Sequence, residues 1–179
     1  MADPTPAPGG DLGPILEEFR KLRREVADLK TATGTQRAQA VKRLPFQDFQ
    51  VGQASPIGLA AGWNTYATVS LVVPEDRTRL QVLGIGTAAV LDQTSGGLTT
   101  SYGRILIDGV PSRDFPASKD AGATLVNNVV TATSAAVINV AGKTSIAVAF
   151  QLQPLNPAAF PSHPQNFAQL AVIGSFTIA

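Results

Sequence analysis

The sequence predicts a mainly β protein with an N-terminal helix: a parallel coiled-coil stalk followed by an antiparallel, jelly-roll-like β-sandwich head, assembled as a trimer. Three observations predict it. Leu12, Ile15, Phe19, Leu22, Val26 and Leu29 recur at alternating spacings of three and four, which is the seam of a coiled coil. Beyond Pro45 the apolar pattern changes from a helical period to alternation. Turn-forming clusters then divide residues 46–179 into Val-, Ile- and Thr-rich runs with no long helical pattern between them. The expected organisation is a Pro/Gly leader over 1–11, a coiled-coil helix over 12–33, a neck over 34–45 and the head over 46–179.

The leader holds no basic residue and no apolar core, so it does not read as a signal peptide. Four prolines and three glycines within the first fourteen residues make it a flexible or partly polyproline segment. Asp11, Gly13 and Pro14 then suit a helix start, where backbone donors have no partner to lose. With Leu12, Phe19 and Val26 at heptad position a, Ile15, Leu22 and Leu29 fall at d. Glu18 and Glu25 fall at g, Arg23 and Lys30 at e. In a parallel assembly these pair between helices as Glu18 with Arg23 and Glu25 with Lys30, setting orientation more than stability. Thr33, Gly34 and Thr35 weaken the helix and are expected to stop it. Val41 and Leu44 suggest a second short helix or neck in another register, ended by Pro45.

Two other readings of this stretch compete. The helix could dock on its own β domain, but its stripe is narrow and both flanks are charged. It could bind nucleic acid or a membrane surface, since residues 12–45 hold eight Lys/Arg against four Asp/Glu. The acids are interleaved with the bases, and no aromatic stands ready to stack on a base.

In the head, strands are expected over 46–51, 64–73, 79–91, 101–108, 124–130, 136–140, 145–152 and 167–178. Pro74-Glu75-Asp76, Ser95-Gly96-Gly97, Asp108-Gly109, Ala141-Gly142-Lys143 and Asn156-Pro157 supply the turns, with Asp108-Gly109 a tight hairpin. From Thr65 to Val73 the odd positions share one face and Tyr66, Thr68, Ser70 and Val72 the other. Several strands are apolar on both faces, which suits a sheet whose outer surface is covered in an oligomer. Threefold symmetry is preferred by analogy with other jelly-roll heads on stalks.

Chemical equipment is sparse. There is no cysteine, hence no disulfide, thiol nucleophile or thiolate metal site. The head carries six Lys/Arg and seven Asp/Glu, a balance that does not suit a nucleic-acid surface. No stretch reaches the ~20 apolar residues of a membrane span. His163 is the only histidine, between prolines in a loop expected to be exposed. Gly84-Ile85-Gly86 lies in a strand rather than a dinucleotide loop, and Gly142-Lys143-Thr144 lacks the preceding glycine of a phosphate loop. The acids sit mostly in turns and define no catalytic pair. No enzyme activity, cofactor or metal is expected. Surface recognition remains: Trp63, Tyr66 and Tyr102 lie at strand starts, and with His163 they are the candidate recognition positions. Trp63 also reads as a core or interface residue. Two polar loops, 92–100 and 111–123, are expected to crown one end of the sandwich.

The run from Leu16 to Leu29 (LEEFRKLRREVADL), behind a Pro-rich leader, resembles the N-terminal coiled coil of minor tail proteins from phages of actinobacteria. Residues 69–83 (VSLVVPEDRTRLQVL) resemble the strand, proline, turn and strand signature of their β heads, and residues 104–112 (RILIDGVPS) and 168–179 look alike too. The resemblance implies a homotrimeric virion structural protein of the tail, made in the host cytoplasm, with a head that touches a host-surface glycan or protein. It implies that the leader docks to other virion proteins, and it supplies no catalytic residues, membrane insertion or nucleic-acid partner. Capsid decoration proteins and head fibres are similar in build, and a free carbohydrate-binding trimer is a further alternative.

Overall fold

The computed structural model describes residues 13–93, 97–120 and 126–178. The chain divides into two compact units, one up to Leu44 and one from Pro45. The first is a single helix, α1 (Gly13–Arg43), 31 residues long and therefore about 46 Å. It does not stop at Thr33-Gly34-Thr35, and no separate neck helix follows. One helical glycine costs only ~1 kcal/mol, and the hydroxyls of Thr31 and Thr35 bond back to the carbonyls of Ala27 and Thr31 at 3.0 and 2.9 Å. Pro45 removes a backbone donor, and the chain turns extended beyond it. The leader and Leu12 lie outside the described residues.

The second unit is a two-sheet antiparallel sandwich. Its strands are β1 (Phe46–Ala54), β2 (Asn64–Val72), β3 (Arg79–Asp92), β4 (Leu98–Ile107), β5 (Val110–Pro111), β6 (Phe115–Asp120), β7 (Val126–Asn139), β8 (Ser145–Pro154) and β9 (Phe167–Thr177). One sheet runs β1-β9-β3-β7; the other runs β2-β8-β4-β5, with β6 also on β4. Apart from β4, β5 and β6, which share one sheet, successive strands alternate between the sheets, and the first and last strands pair. That order is jelly-roll-like.

Several expectations need correction. The runs 124–130 and 136–140 are one strand, β7, paired to β3 without a break from Val126 to Asn139. In the two loops expected to crown the sandwich, residues 98–100, 111 and 115–120 are strand, and 94–96 and 121–123 lie outside the described residues. Residues 115–120 pair with 98–103, and Val110–Pro111 closes a hairpin on β4. Asp92, Thr99 and Thr100 are buried, with the Thr99 hydroxyl donating to the Asp92 carboxylate. The Asp108-Gly109 turn is as expected, with φ positive at both residues (53° and 81°), the backbone of a type I′ turn. In β2 the alternation slips by a bulge at Tyr66. Thr65 lies opposite Gln151 while Ala67 lies opposite Phe150, so Thr65 and Ala67 face opposite ways.

The core lies between the sheets, with Phe150, Phe176, Leu71, Leu80, Ile105 and Leu170 fully buried. Its aromatic content is thin because glycines let the sheets close on what is there. A Cβ at Gly86 of β3 would sit 2.6 Å from Phe150 Cγ, and one at Gly103 of β4 would sit 3.1 Å from Phe150 Cε2. The ring therefore fills the space that both glycines leave. Asn166, wholly buried, ties the loops to the sheets. Its amide donates to the carbonyls of Ile57 (2.9 Å) and Pro161 (3.0 Å), and its oxygen accepts from the Leu91 amide (2.8 Å).

Gly86→Ala is expected to lower the free energy of unfolding by about 1–3 kcal/mol. Gly84→Ala should cost less, because its nearest neighbour is the movable Ile105 Cγ2 at 3.1 Å. Urea unfolding of the two variants checks the ranking. Asn166→Ala removes three hydrogen bonds from a wholly buried side chain to the backbone of Ile57, Pro161 and Leu91 and should cost roughly 1–3 kcal/mol by the same measurement.

Candidate interaction surfaces

Within the helical unit, the seam side chains Phe19, Leu22, Val26 and Leu29 are 49–65% exposed. Ile15 lies on the same helix. The flanking Glu18, Arg23, Glu25 and Lys30 are exposed. Their proposed partners are on other helices, so a single chain leaves the seam uncovered. Shallow grooves run along it between Phe19 and Lys30 and on to Arg37. Val41 is also exposed but lies off the seam.

The sandwich has two outer faces of different chemistry. On the four-stranded sheet, register aligns Phe49, Ile173, Leu83 and Ala135 in one row across β1, β9, β3 and β7. The next row is Val51, Ala171, Ile85 and Thr133. A row starting at Gln47 bounds them on one side and a row starting at Gln53 on the other, and none of these four rows holds a charged residue. Sequence reading found the strands apolar on both faces but did not single out these residues, because each contributes only two or three apolar positions and the patch exists only after four strands are aligned.

The outer face of the five-stranded sheet is polar and aromatic. The Arg104 guanidinium lies 4.0 Å over the Trp63 ring. Its Nε donates to Gln151 Oε1 at 2.9 Å, and Gln151 Nε2 donates to Thr65 Oγ1 at 3.1 Å. Tyr102 is two residues along β4 from Arg104 and opposite Gln153, so it shares the same face. Trp63 and Tyr102 are both half-buried. Arg104 and Gln151 went unnoticed in the sequence. An Arg and a Gln on separate apolar strands carry no local signal, and the aromatic residues alone were legible.

Tyr66 and His163 do not join that face. Tyr66 packs against the core, and its hydroxyl donates to the Gly58 carbonyl (3.1 Å) and accepts from the Ala60 amide (2.9 Å). Its hydrogen-bonding capacity is spent on pinning the β1–β2 loop. His163 is half-buried rather than freely exposed. It forms an isolated bridge with Ile57, and its Nδ1 accepts from the Gln165 amide at 3.2 Å. Among the described residues there is no group of three or more His, Asp or Glu placed to hold a metal ion, and no helix is long and apolar enough to cross a membrane.

No protein-family model matches the sequence, and no curated protein matches it. Solved structures are similar to the chain at a low level. Dimeric latent PorU from Porphyromonas gingivalis is 11% identical over 74% of this chain and 13% of its own, with a TM-score of 0.45. The VP2 subviral particle of infectious bursal disease virus is 13% identical over 75% of this chain and 33% of its own, with a TM-score of 0.31. The globular domain of zebrafish complement 1qA is 10% identical over 74% of this chain and 98% of its own, with a TM-score of 0.32. The chain thus spans a third or less of the first two.

The Trp63–Arg104 stack makes a direct prediction. Trp63 is the only tryptophan, so intrinsic emission reports this site alone. Arg104→Ala uncovers the indole and should shift its emission to the red, with a stability loss of about 0.5–1 kcal/mol. An unshifted spectrum would show that the guanidinium does not cover the ring in solution.

Proposed function

We propose that the chain is a non-enzymatic virion structural protein: a trimeric minor tail or fibre protein of a phage of the actinobacterial type, with a head that contributes to host-surface contact. The observation that carries this reading is the uncovered seam of α1. A lone helix in water gains little beyond its own hydrogen bonds. A stripe of Phe19, Leu22, Val26 and Leu29 closed against copies of itself removes apolar area at ~25 cal/mol per Å². The charges at Glu18, Arg23, Glu25 and Lys30 then favour parallel alignment. The resemblance of residues 16–29, 69–83, 104–112 and 168–179 to minor tail proteins supplies the virion setting, and the leader is the segment that would dock to other virion proteins. A capsid decoration protein or head fibre would use the same build.

One observation favours a second reading, a carbohydrate-binding trimer. Trp63, Tyr102, Arg104, Gln151 and Gln153 combine aromatic surface with hydrogen-bonding groups on one sheet face, a mixture that suits sugars. The two readings meet if the host ligand of the tail protein is a glycan.

Light scattering on the full chain tests the proposal. The expected mass is about three times the 18.6 kDa of one chain. Leu22→Asp combined with Val26→Asp should remove most of the helical signal in far-UV circular dichroism, because the helix loses its partners. A monomeric full chain that keeps its full helicity would sink the stalked-trimer reading.

A further inference from the structure

We infer that the outer face of the four-stranded sheet is the surface through which the heads of neighbouring copies meet. The inference rests on the oligomeric reading above and adds where in the head the contact is made.

Six apolar side chains define the face: Phe49 (62% exposed), Val51 (46%), Leu83 (40%), Ile85 (41%), Val137 (59%) and Ile173 (48%). They come from all four strands of the sheet, and a shallow groove of about 450 Å³ opens at Leu83, Val137 and Ile173. Together they present on the order of 500 Å², at the upper end of the largest apolar patch that a typical monomer exposes. That is less than the ~800 Å² each partner gives to a standard interface, so the face suits a contact held by something else as well.

Charge decides what can cover it. In a rotationally symmetric assembly, side chains near the axis meet copies of themselves, and a charge there meets its like. This face can meet itself. Its rim is glutamine, serine and threonine, with Arg79 one row further out at one end, and its centre is aliphatic and aromatic. A glycan would find no hydrogen-bonding group at that centre, and an anionic membrane surface would find no cation there, only Arg79 one row outside the rim. The other outer face carries Arg104 beside Trp63, and exposed Thr68 and Ser70 along β2, with Val72 its exposed apolar neighbour at the strand end.

The covalent chain makes the same choice. Only Leu44 and Pro45 separate the end of α1 from the start of β1, a reach of roughly 10 Å. β1 is the edge strand of the apolar-faced sheet. Whatever assembly joins the helices therefore tethers the heads of its copies to one another through β1. A weak apolar patch tethered in this way meets its copy at millimolar effective concentration.

The chain has no cysteine, so a single introduced thiol can report distance. Ile173→Cys and, on the opposite outer face, Ser70→Cys are each nitroxide-labelled in the full chain and measured by pulsed dipolar spectroscopy, with mass determined on the same samples. The inference expects a short inter-copy distance and an immobilised label at residue 173, and a longer distance and a mobile label at residue 70. Val137→Cys replaces Ile173→Cys should that variant fail to fold. An oligomer with residue 70 closer than residue 173 overturns the inference and leaves the stalked oligomer standing. A mass of one chain removes both.

Discussion

Strand β3 is paired on both edges, to β9 and β7, and apolar on both faces, and the rest of the head depends on how that conflict is met. Its even positions from Leu80 to Val90 face the core and are all buried. Two of them, Gly84 and Gly86, have no side chain, so the second sheet comes close enough for Ile105 to pack at Gly84 and Phe150 at Gly86. The inner demand is thus satisfied within one chain. The outer demand of Leu83 and Ile85 is not, because β1, β9 and β7 extend the same apolar rows instead of covering them. A soluble monomer can carry such a face, but it gains nothing from it.

Much of the fold was legible because its signals are local. Alternation marked β2, Val-, Ile- and Thr-rich runs between turn residues marked β3, β8 and β9, and Asp108-Gly109 marked the hairpin because few residue pairs adopt two successive positive φ values. What was misread depended on partners distant in sequence. β6 reads as loop because it contains Pro116, Ser118 and Lys119, yet it lies at the edge of its sheet, where a proline can be tolerated. The middle of β7 is a run of Thr, Ala and Ser that looks like a linker. It is strand because β3 supplies an unbroken ladder beside it. The bulge at Tyr66 had no sequence signature, and it reversed the facing of Thr65. In α1, Gly34 was given too much weight as a stop, although a single glycine in a 31-residue helix is a small penalty.

The candidate surfaces divide along the same line. The exposed stripe of Phe19, Leu22, Val26 and Leu29 on α1 was readable because a helix brings residues three and four apart onto one side. The aromatic platform was half readable. Trp63 and Tyr102 stood out by type, while Arg104 and Gln151, which are 47 residues apart and hydrogen-bonded across strands, did not. Tyr66 had the right type and the wrong direction, since its hydroxyl is consumed by the loop it closes.

The helix and the sheet face are each too weak to act alone, and that is the reason to consider them together. The seam spans only about three heptads, near the lower limit for a stable coiled coil. The sheet patch on its own falls short of a standard interface. In the proposed assembly they share the cost of association. Once the helices are bound, the heads pay almost no further translational entropy to meet, and once the heads meet, the helix termini beside β1 are already gathered. Two marginal contacts in one chain then give a cooperative oligomer. Neither contact is strong enough by itself to drive aggregation of chains that have not yet folded their heads. In the proposed assembly this also accounts for the absence of charge at the centre of that sheet face, where Arg79 stands only at the margin, while the opposite face is free to carry Arg104 and the aromatic residues beside it.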